Sequence, residues 1–236
     1  ALTASYTEAL TVPRPAVDPD SISFIALDDG YYYIQCKAFA DDAYTMAVWE
    51  KFLQEARDAP GIVLDLRNNG GGSVSLMYTM ASYLFTPDDP GLKHWADWYV
   101  YDDQTGDLVL EFSPDYMLSS PDPDLAYTGS VVVLVSEKSA SAGEYFPQFL
   151  QNQGRAIVVG EHGTEGAGGV VETAAMPTGL TFWFTKGRTT FAGTDEFNIE
   201  AKGVTLDVRV PITLENELAK QAGTDVVLET AIEALG

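Results

Sequence analysis

Unbroken runs of hydrophobic residues mark the strands that we expect at the centre of the fold. Three runs are rich in Val, Ile and Leu and show no alternation with polar residues: 61–66, 131–135 and 156–159. Strands that are covered on both faces of a parallel sheet have this pattern. The hydrophobic pattern therefore predicts an α/β protein with a parallel sheet at its core.

Segments with helical spacing of apolar residues lie between and after these runs. The clearest is 141–153, where four apolar residues from Tyr145 to Leu150 recur at helical spacing before Gly154. With the runs on either side, this segment predicts a strand–turn–helix–strand unit over 131–159. Further helices are predicted at 43–56, 75–85, 214–219 and 225–235.

Paired strand patterns around turn residues indicate hairpins in addition to the central sheet. The pairs are 22–27 with 31–36, 95–101 with 107–112, and 170–175 with 180–185. The stretch 188–191 is expected to pair with the last of these hairpins, and 3–12 is predicted as an edge strand. We expect residues 1–21 to form an N-terminal connecting segment and residues 22–236 to form one domain with a β-rich C-terminal part.

The charge of the chain limits the classes of binding partner, and its cysteine content limits the disulfides. The 236 residues include 35 Asp and Glu against 13 Lys and Arg, which gives a formal net charge of −22. Such a surface repels nucleic-acid phosphates and anionic membranes, whereas it favours neutral or basic peptides. No apolar run reaches the roughly 18 residues of a membrane helix, so membrane insertion is not expected. The single cysteine, Cys36, excludes an internal disulfide and is expected in the core.

The turn that follows the run 131–135 carries candidate chemistry. Residues 138–144, KSASAGE, place serines and small residues at the start of the predicted helix. A helix start offers free N–H groups and a partial positive charge, so a serine there could attack a carbonyl while N–H groups hold the oxyanion. The alternative is a plain helix cap, because Ser141 and Glu144 fit a capping box. The turn alone leaves both interpretations open.

A glycine-rich turn follows the run 61–66. Residues 67–72, RNNGGG, include three successive glycines, which allow positive φ and close approach of the backbone to another group. A flexible loop is the simpler alternative, but three glycines cost chain entropy and Asp65 and Arg67 flank the turn. A phosphate-binding loop is weakly supported, because the Gly-Lys-Ser/Thr ending is absent.

Four sequence motifs follow one another along the chain. They are IVLDLRNNGGG at 62–72, SASAGE at 139–144, RAIVVGEHGTEGAGG at 155–169 and IEAKGVTLDV at 199–208. In this order they resemble the C-terminal processing proteases, also called tail-specific proteases, and the related tricorn-protease core. The resemblance covers most of the chain, without the PDZ module common in the family. It implies a ClpP/crotonase-like spiral of strand–strand–helix units in a peptidase-like catalytic domain.

The resemblance assigns roles to individual residues. The nucleophile would be Ser141, and the oxyanion donors would be the N–H groups of Ala142 and of Gly71 or Gly72. Such a serine endopeptidase hydrolyses peptide bonds. The alternative hypothesis is a peptidase-like domain with impaired catalysis that binds extended peptides by strand addition.

The general base is the point at which the sequence departs from the family pattern. The processing proteases place a lysine in the glycine loop, but the matching positions here are Gly166 and Ala167. The tricorn-like branch uses a histidine on an early strand and a glutamate near the C-terminal motif. Gln35 stands at the first of these positions and Glu200 at the second. A glutamine cannot act as a general base.

Four sources of the base therefore stay open. His162 lies in the glycine loop, and a neutral imidazole suits proton abstraction near pH 7. The others are His94, a lysine such as Lys138 or Lys186, and a segment missing from this chain. Identification of the base decides between the peptidase and the peptide-binding hypothesis.

The resemblance also predicts the location of the protein and its binding partners. It implies an extracytoplasmic location, in the cell envelope or secreted, and a peptide or unfolded protein as substrate. Neither a cofactor nor a metal is implied, and the spacing of His, Asp and Glu gives no zinc site. We expect no nucleic-acid partner and no membrane insertion, and a homo-oligomer stays open.

Overall fold

The computed structural model of the protein describes residues 21–86, 96–112, 122–169, 171–196 and 198–236. The predicted strand at 3–12 and His94 lie outside these residues. The strands are β1 Ile22–Ala26, β2 Tyr32–Cys36, β3 Gly61–Asp65, β4 Ala96–Asp102, β5 Asp107–Phe112, β6 Ser130–Leu134, β7 Ile157–Gly160, β8 Val171–Ala175, β9 Thr181–Thr185, β10 Gly187–Phe191 and β11 Val208–Arg209. The helices are α1 Ala43–Glu55, α2 Val74–Ser82, α3 Ala142–Asn152, α4 Leu214–Gln221 and α5 Val226–Leu235.

The main sheet has six strands in the order β1-β2-β3-β6-β7-β11. Strand β1 is antiparallel to β2, and every other neighbouring pair is parallel. All five residues of β3 are buried, which explains its unbroken apolar run. The predicted α/β fold with a parallel core is confirmed.

Helices cover both faces of the main sheet. Alternate side chains such as Ile62 and Leu64 pack with α1, α2 and α3 in the larger core, which also holds Cys36. Val63 and the other alternate residues face α5 in a smaller core. The chain leaves the carboxyl ends of β3 and β6 and enters α2 and α3. Parallel neighbouring strands need such a crossover connection, which is usually a helix.

The remaining strands form two small sheets. Strand β10 pairs with β4, and β4 pairs with β5, so the order is β10-β4-β5. Strands β8 and β9 form a separate hairpin. The prediction that 188–191 pairs with the β8–β9 hairpin is wrong, because the chain turns at Lys186 and β10 joins the antiparallel partner β4 instead. A local pattern does not choose between two available partner strands.

The described ranges contain no helix with both the length and the apolar character of a membrane span. Within the same ranges, no group of three or more His, Cys, Asp or Glu side chains is placed to hold a metal ion.

Candidate active site

The turns that follow β3 and β6 are joined by hydrogen bonds. The Ser139 hydroxyl donates to the carbonyl oxygen of Leu66 at 2.8 Å, and the Ser136 hydroxyl donates to that of Arg67 at 2.5 Å. The N–H of Ala140 donates to the carbonyl oxygen of Asn69 at 2.9 Å. These bonds fix the serine turn against the glycine turn.

Glycines let the two turns touch. Gly71 has φ 106°, and a Cβ atom built on it would lie 2.7 Å from Ser141 Cβ and 3.1 Å from Ser141 Oγ. A Cβ on Gly143 would collide with the carbonyl oxygen of Asn69. The structure thus places Ser141 beside the glycine turn, and side chains at Gly71 or Gly143 would separate the two.

Ser141 begins α3 with a strained backbone. Its φ is 55° and its ψ −124°, and among the described non-glycine residues only Ala201 shares a positive φ. Ser141 and Glu144 keep the outline of a capping box, but the N–H of Glu144 donates to the carbonyl oxygen of Ser141 at 2.8 Å. Strain of this kind is maintained by surrounding structure and is frequent at functional sites.

Two backbone N–H groups near Ser141 are free to bind an oxyanion. Among the described residues, neither the N–H of Ala142 nor that of Gly72 has a hydrogen-bond acceptor. The N–H of Gly71, by contrast, donates to Asn69 Oδ1 at 2.8 Å. Of the two glycines predicted as donors, Gly72 therefore offers the free N–H, whereas Gly71 supplies the close packing.

Glu144 ties the start of α3 to the glycine loop 161–169. Its buried carboxylate accepts the N–H of Gly166 and that of Ala167, each at 2.8 Å, and the N–H of Ser141 at 3.3 Å. Burial raises the pKa of the Glu144 carboxyl above its ordinary value, and hydrogen bonds from Thr164 and the main chain partly offset this effect. Glu144 therefore positions the loop rather than serving only as a helix cap.

The glycine loop leaves no room for a lysine side chain at position 166. A Cβ on Gly166 would lie 2.6 Å from the carbonyl oxygen of Ile199 and 2.7 Å from the N atom of Ala201, so a side chain does not fit. Ala167 is exposed, and its carbonyl oxygen accepts the N–H of Ser141 at 3.1 Å. Position 167 is thus next to the serine but carries only a methyl group.

Glu200 lies close to the same loop. Its Oε2 atom is buried and has no hydrogen-bond partner among the described residues. Burial raises the pKa of the Glu200 carboxyl, the N–H of Gly168 opposes that rise, and the charge of Glu144 adds to it. A buried carboxylate oxygen without a hydrogen-bond donor costs folding free energy. Such an oxygen therefore indicates that a donor is missing.

A buried chain of hydrogen bonds holds the Glu200 segment near α3. The Tyr145 hydroxyl contacts the carbonyl oxygen of Gly168 and lies 2.7 Å from Thr189 Oγ1. The Thr189 hydroxyl in turn donates to Asn198 Oδ1 at 2.7 Å. Because Tyr145 stands four residues after Ser141, one helical turn positions both the serine and the loop.

Among the described residues, none of the predicted bases is brought into contact with Ser141. His162 is exposed, and no hydrogen bond joins it to Ser141. Lys138 is exposed, Lys186 pairs with acidic residues elsewhere, and Gln35 donates to the Tyr33 hydroxyl at 3.5 Å. Within the described ranges, the Ser141 hydroxyl has no histidine or lysine hydrogen-bond partner. His162 as the base stays a prediction.

An ionic cluster lies next to the glycine turn, and the sequence indicated only some of its members. Arg67 makes two hydrogen bonds to Asp65, at 3.0 and 2.6 Å, and two to Asp225, at 2.8 and 2.7 Å. Asp65 also accepts from the Tyr33 hydroxyl at 2.5 Å. The sequence drew attention to Asp65 and Arg67, but no local signal pointed to Asp225, which lies in another part of the chain.

The chain is similar in sequence and fold to known peptidases. The sequence model of peptidase family S41 matches residues 30–210. The tail-specific protease of Haemophilus influenzae is 27% identical over 181 residues, which cover 72% of this chain and 23% of that protein. The structure of mature CPAF complexed with lactacystin has a TM-score of 0.67 at 20% identity, covering 89% of this chain and 53% of the other.

A second solved structure shares the fold. The photosystem II D1 C-terminal processing protease has a TM-score of 0.57 at 22% identity, over 88% of this chain and 53% of the other. The chain thus spans about half of each solved chain and less than a quarter of the H. influenzae protein. At these identities the structural likenesses establish the fold, and they agree with the fold that the motifs implied.

Proposed function

The chain belongs to peptidase family S41, and we propose that it is a serine endopeptidase whose nucleophile is Ser141. The observation that supports this most directly is the strained helix start. Ser141 has a positive φ and no histidine or lysine partner for its hydroxyl, and two N–H groups lack a described acceptor: that of Ala142, the next residue, and that of Gly72, which follows the Gly71 that packs on Ser141. The family match favours this function over a domain that only binds peptides.

The proposed reaction follows from these positions. The Ser141 hydroxyl attacks the carbonyl carbon of the scissile peptide bond while a general base accepts the hydroxyl proton. The carbonyl oxygen becomes an oxyanion, which the N–H groups of Ala142 and Gly72 stabilise. The base returns the proton to the leaving amine, and water then hydrolyses the acyl-enzyme. Gly71 keeps the donors near the serine.

We propose that the base is an imidazole oriented by Glu200. The unpaired Oε2 atom of Glu200 supports this, because a carboxylate that lacks a donor can accept the N–H of a histidine. His162, on the loop that contacts Ser141, is the candidate within the described residues. Movement of the loop would be needed to bring His162 to the serine. His94, a lysine and a residue supplied from outside this chain are the other sources.

The nucleophile is tested with the purified chain and an unstructured peptide whose cleavage is followed by mass spectrometry. We expect Ser141→Ala to abolish cleavage and leave the circular dichroism spectrum unchanged, since only one oxygen is removed. Equal cleavage by the variant would place the nucleophile elsewhere.

The base is tested by comparing His162→Ala with His94→Ala. If His162 is the base, His162→Ala costs about as much activity as Ser141→Ala, because triad members act as a unit. Full activity of His162→Ala would exclude His162 as the general base. A chain that binds the peptide but never cleaves it points to a base from outside.

We further propose that the substrates are peptides or unfolded proteins, that the protein acts outside the cytoplasm, and that it self-associates. The acidic chain supports the first point, the second rests on the family resemblance alone, and the third takes up the homo-oligomer that the sequence left open. Cell fractionation tests the location. Sedimentation equilibrium tests self-association, and a monomer at micromolar concentration contradicts it.

A further inference from the structure

An open cleft lies between the β4–β5 hairpin and the β8–β9 hairpin. Its volume is about 660 Å³, which is in the usual range for ligand pockets. Three large apolar side chains line it, Tyr101 and Leu108 from one hairpin and Phe184 from the other. They are 44%, 42% and 38% exposed respectively. Partly exposed apolar groups that face a common space gain free energy when a ligand covers them.

A lysine bridges the two sides of the cleft. Lys186 lies at the connection between β9 and β10, with its Nζ 3.6 Å from Asp103 and 3.2 Å from Glu172. Asp103 belongs to the β4–β5 turn and Glu172 to β8. The two ion pairs connect the hairpins across the cleft, although exposed ion pairs of this kind contribute little to stability.

The cleft adjoins the candidate active site. The carbonyl oxygen of Ala167 accepts the N–H of Ser141. Two residues further along, a Cβ on Gly169 would collide with Thr185, and it would lie 2.9 Å from the carbonyl oxygen of Gly187 and 3.2 Å from Glu200 Oε2. Thr185, Gly187 and Glu200 all line the cleft. Since two residues span at most roughly 7 Å, the cleft begins within a short distance of the nucleophile.

We propose that this cleft is a specificity subsite that receives a large apolar side chain of the substrate peptide, within about three residues of the scissile bond. This inference rests on the proposed peptidase function. Continuity with the Ser141 site selects a substrate as the occupant, because an extended peptide held at the serine passes beside Gly169 and can place a side chain between the hairpins. The lining has three acidic residues and two basic ones, so an acidic side chain is disfavoured.

Binding is measured first, in the Ser141→Ala background, so that the result does not depend on catalysis. Two fluorescent unstructured peptides are compared by anisotropy, identical except for one Phe replaced by Ala. We expect the Phe peptide to bind roughly tenfold more tightly. Phe184→Ala and Leu108→Ala, one from each wall, should each reduce this ratio towards one. Equal affinity for the two peptides in the parent protein would overturn the proposal.

The matched control is Trp183→Ala. Trp183 is the neighbour of Phe184 on β9 and is 69% exposed, but it does not line the cleft. We expect the tenfold ratio to survive this substitution. A ratio lost equally in Trp183→Ala would show that the hairpin acts as a nonspecific apolar surface, and the subsite proposal would fail.

Cleavage separates this inference from the proposed function. In the chain with Ser141, bonds cut in a mixture of peptides should lie within about three residues of a Phe or Leu, and Phe184→Ala should remove that preference. Cleavage without such a preference overturns the subsite and leaves the peptidase intact. If the two peptides bind with different affinities but no peptide is cleaved, the peptidase function is overturned and the subsite is left intact. A Phe184→Ala variant that changes only the sedimentation of the protein assigns the cleft to a second copy and overturns the proposal.

Discussion

The two strand–turn–helix units β3–α2 and β6–α3 begin their helices at the same residue type but use it differently. Ser73, before α2, has an extended backbone, and its hydroxyl accepts the N–H of Leu76 at 3.2 Å. Ser141, before α3, has φ 55°, and its N–H donates to the carbonyl oxygen of Ala167 at 3.1 Å. Ser73 is thus an ordinary cap, whereas the N–H of Ser141 is bound by the glycine loop and its backbone is strained.

This difference shows what separates a capping serine from the candidate nucleophile. Both serines follow a buried parallel strand and precede an apolar helix, so their local patterns are alike. A distant segment binds the N–H of each serine, since that of Ser73 donates to the carbonyl oxygen of Phe39 at 2.9 Å, but only Ser141 combines this with a positive φ and a glycine turn against its Cβ. Packing from distant segments, and not the identity of the residue, therefore creates the candidate nucleophile.

The largest expected contrast comes from replacing each serine by alanine. Ser141→Ala should reduce cleavage by about a thousandfold or more and change the free energy of unfolding by less than about 0.5 kcal/mol. Ser73→Ala should keep activity and cost about 1 kcal/mol of stability, because it loses a cap. Peptide cleavage and urea unfolding measure the two quantities. The comparison breaks if Ser73→Ala proves to be the variant that loses activity.

The next contrast is within the glycine turn. Gly71→Ala should strongly reduce cleavage and cost about 1–3 kcal/mol of stability, because Gly71 has φ 106° and its new Cβ would lie 2.7 Å from Ser141 Cβ. Gly70→Ala is the matched control, since a Cβ on Gly70 meets no atom within 4 Å. Thermal unfolding and cleavage rates distinguish them, and equal effects of both substitutions would argue against the contact.

The serine turn depends on a buried hydroxyl as well. Ser139 is 1% exposed, donates to Leu66 at 2.8 Å and accepts the N–H of Ser136 at 3.1 Å. Ser139→Ala should cost about 1–3 kcal/mol, because the N–H of Ser136 loses its acceptor and the buried carbonyl of Leu66 keeps only the N–H of Asn69 as a donor. Urea unfolding measures this cost, and Ser139→Thr should restore part of it. No loss of stability would mean that the two turns are held together by packing alone.

The smallest effect is expected at the ionic cluster behind the glycine turn. Burial acts to raise the pKa of Asp225, but hydrogen bonds and charge from Arg67 outweigh it, so the pKa lies below its ordinary value of 3.8. The pair therefore stabilises the fold above pH 3.8, and this contribution is lost as pH falls through the lower folded-state pKa. Asp225→Asn, which can still cap α5, should cost about 1 kcal/mol at pH 7 because the pair is partly solvated.

Urea unfolding at pH 7 and at about pH 3 checks this sign. The difference between the parent protein and Asp225→Asn should shrink at the lower pH, because the carboxylate charge is progressively lost below its ordinary pKa. A difference that grows on acidification would show that Asp225 is not stabilised as an anion. High salt should also reduce the difference at pH 7.

Hydrophobic periodicity alone predicted most of the fold. The unbroken runs gave β3, β6 and β7, and the helical spacing gave α3, because burial on both faces or on one face leaves a direct trace in the sequence. The pairing of 188–191 was wrong, since β4 and the β8–β9 hairpin are both compatible with its pattern. Strand partners are set by nonlocal contacts that a local pattern does not encode.

The sequence by itself determined the parts of the candidate site: a serine at a helix start, a glycine turn after the neighbouring strand, and no lysine at Gly166 or Ala167. Tertiary structure alone decided that Ser141 is strained, that Gly72 and not Gly71 keeps a free N–H, and that Asp225 holds Arg67. The reason is physical. Residue types and their spacing specify elements, whereas hydrogen-bond partners and backbone strain depend on segments that meet only after the chain has folded.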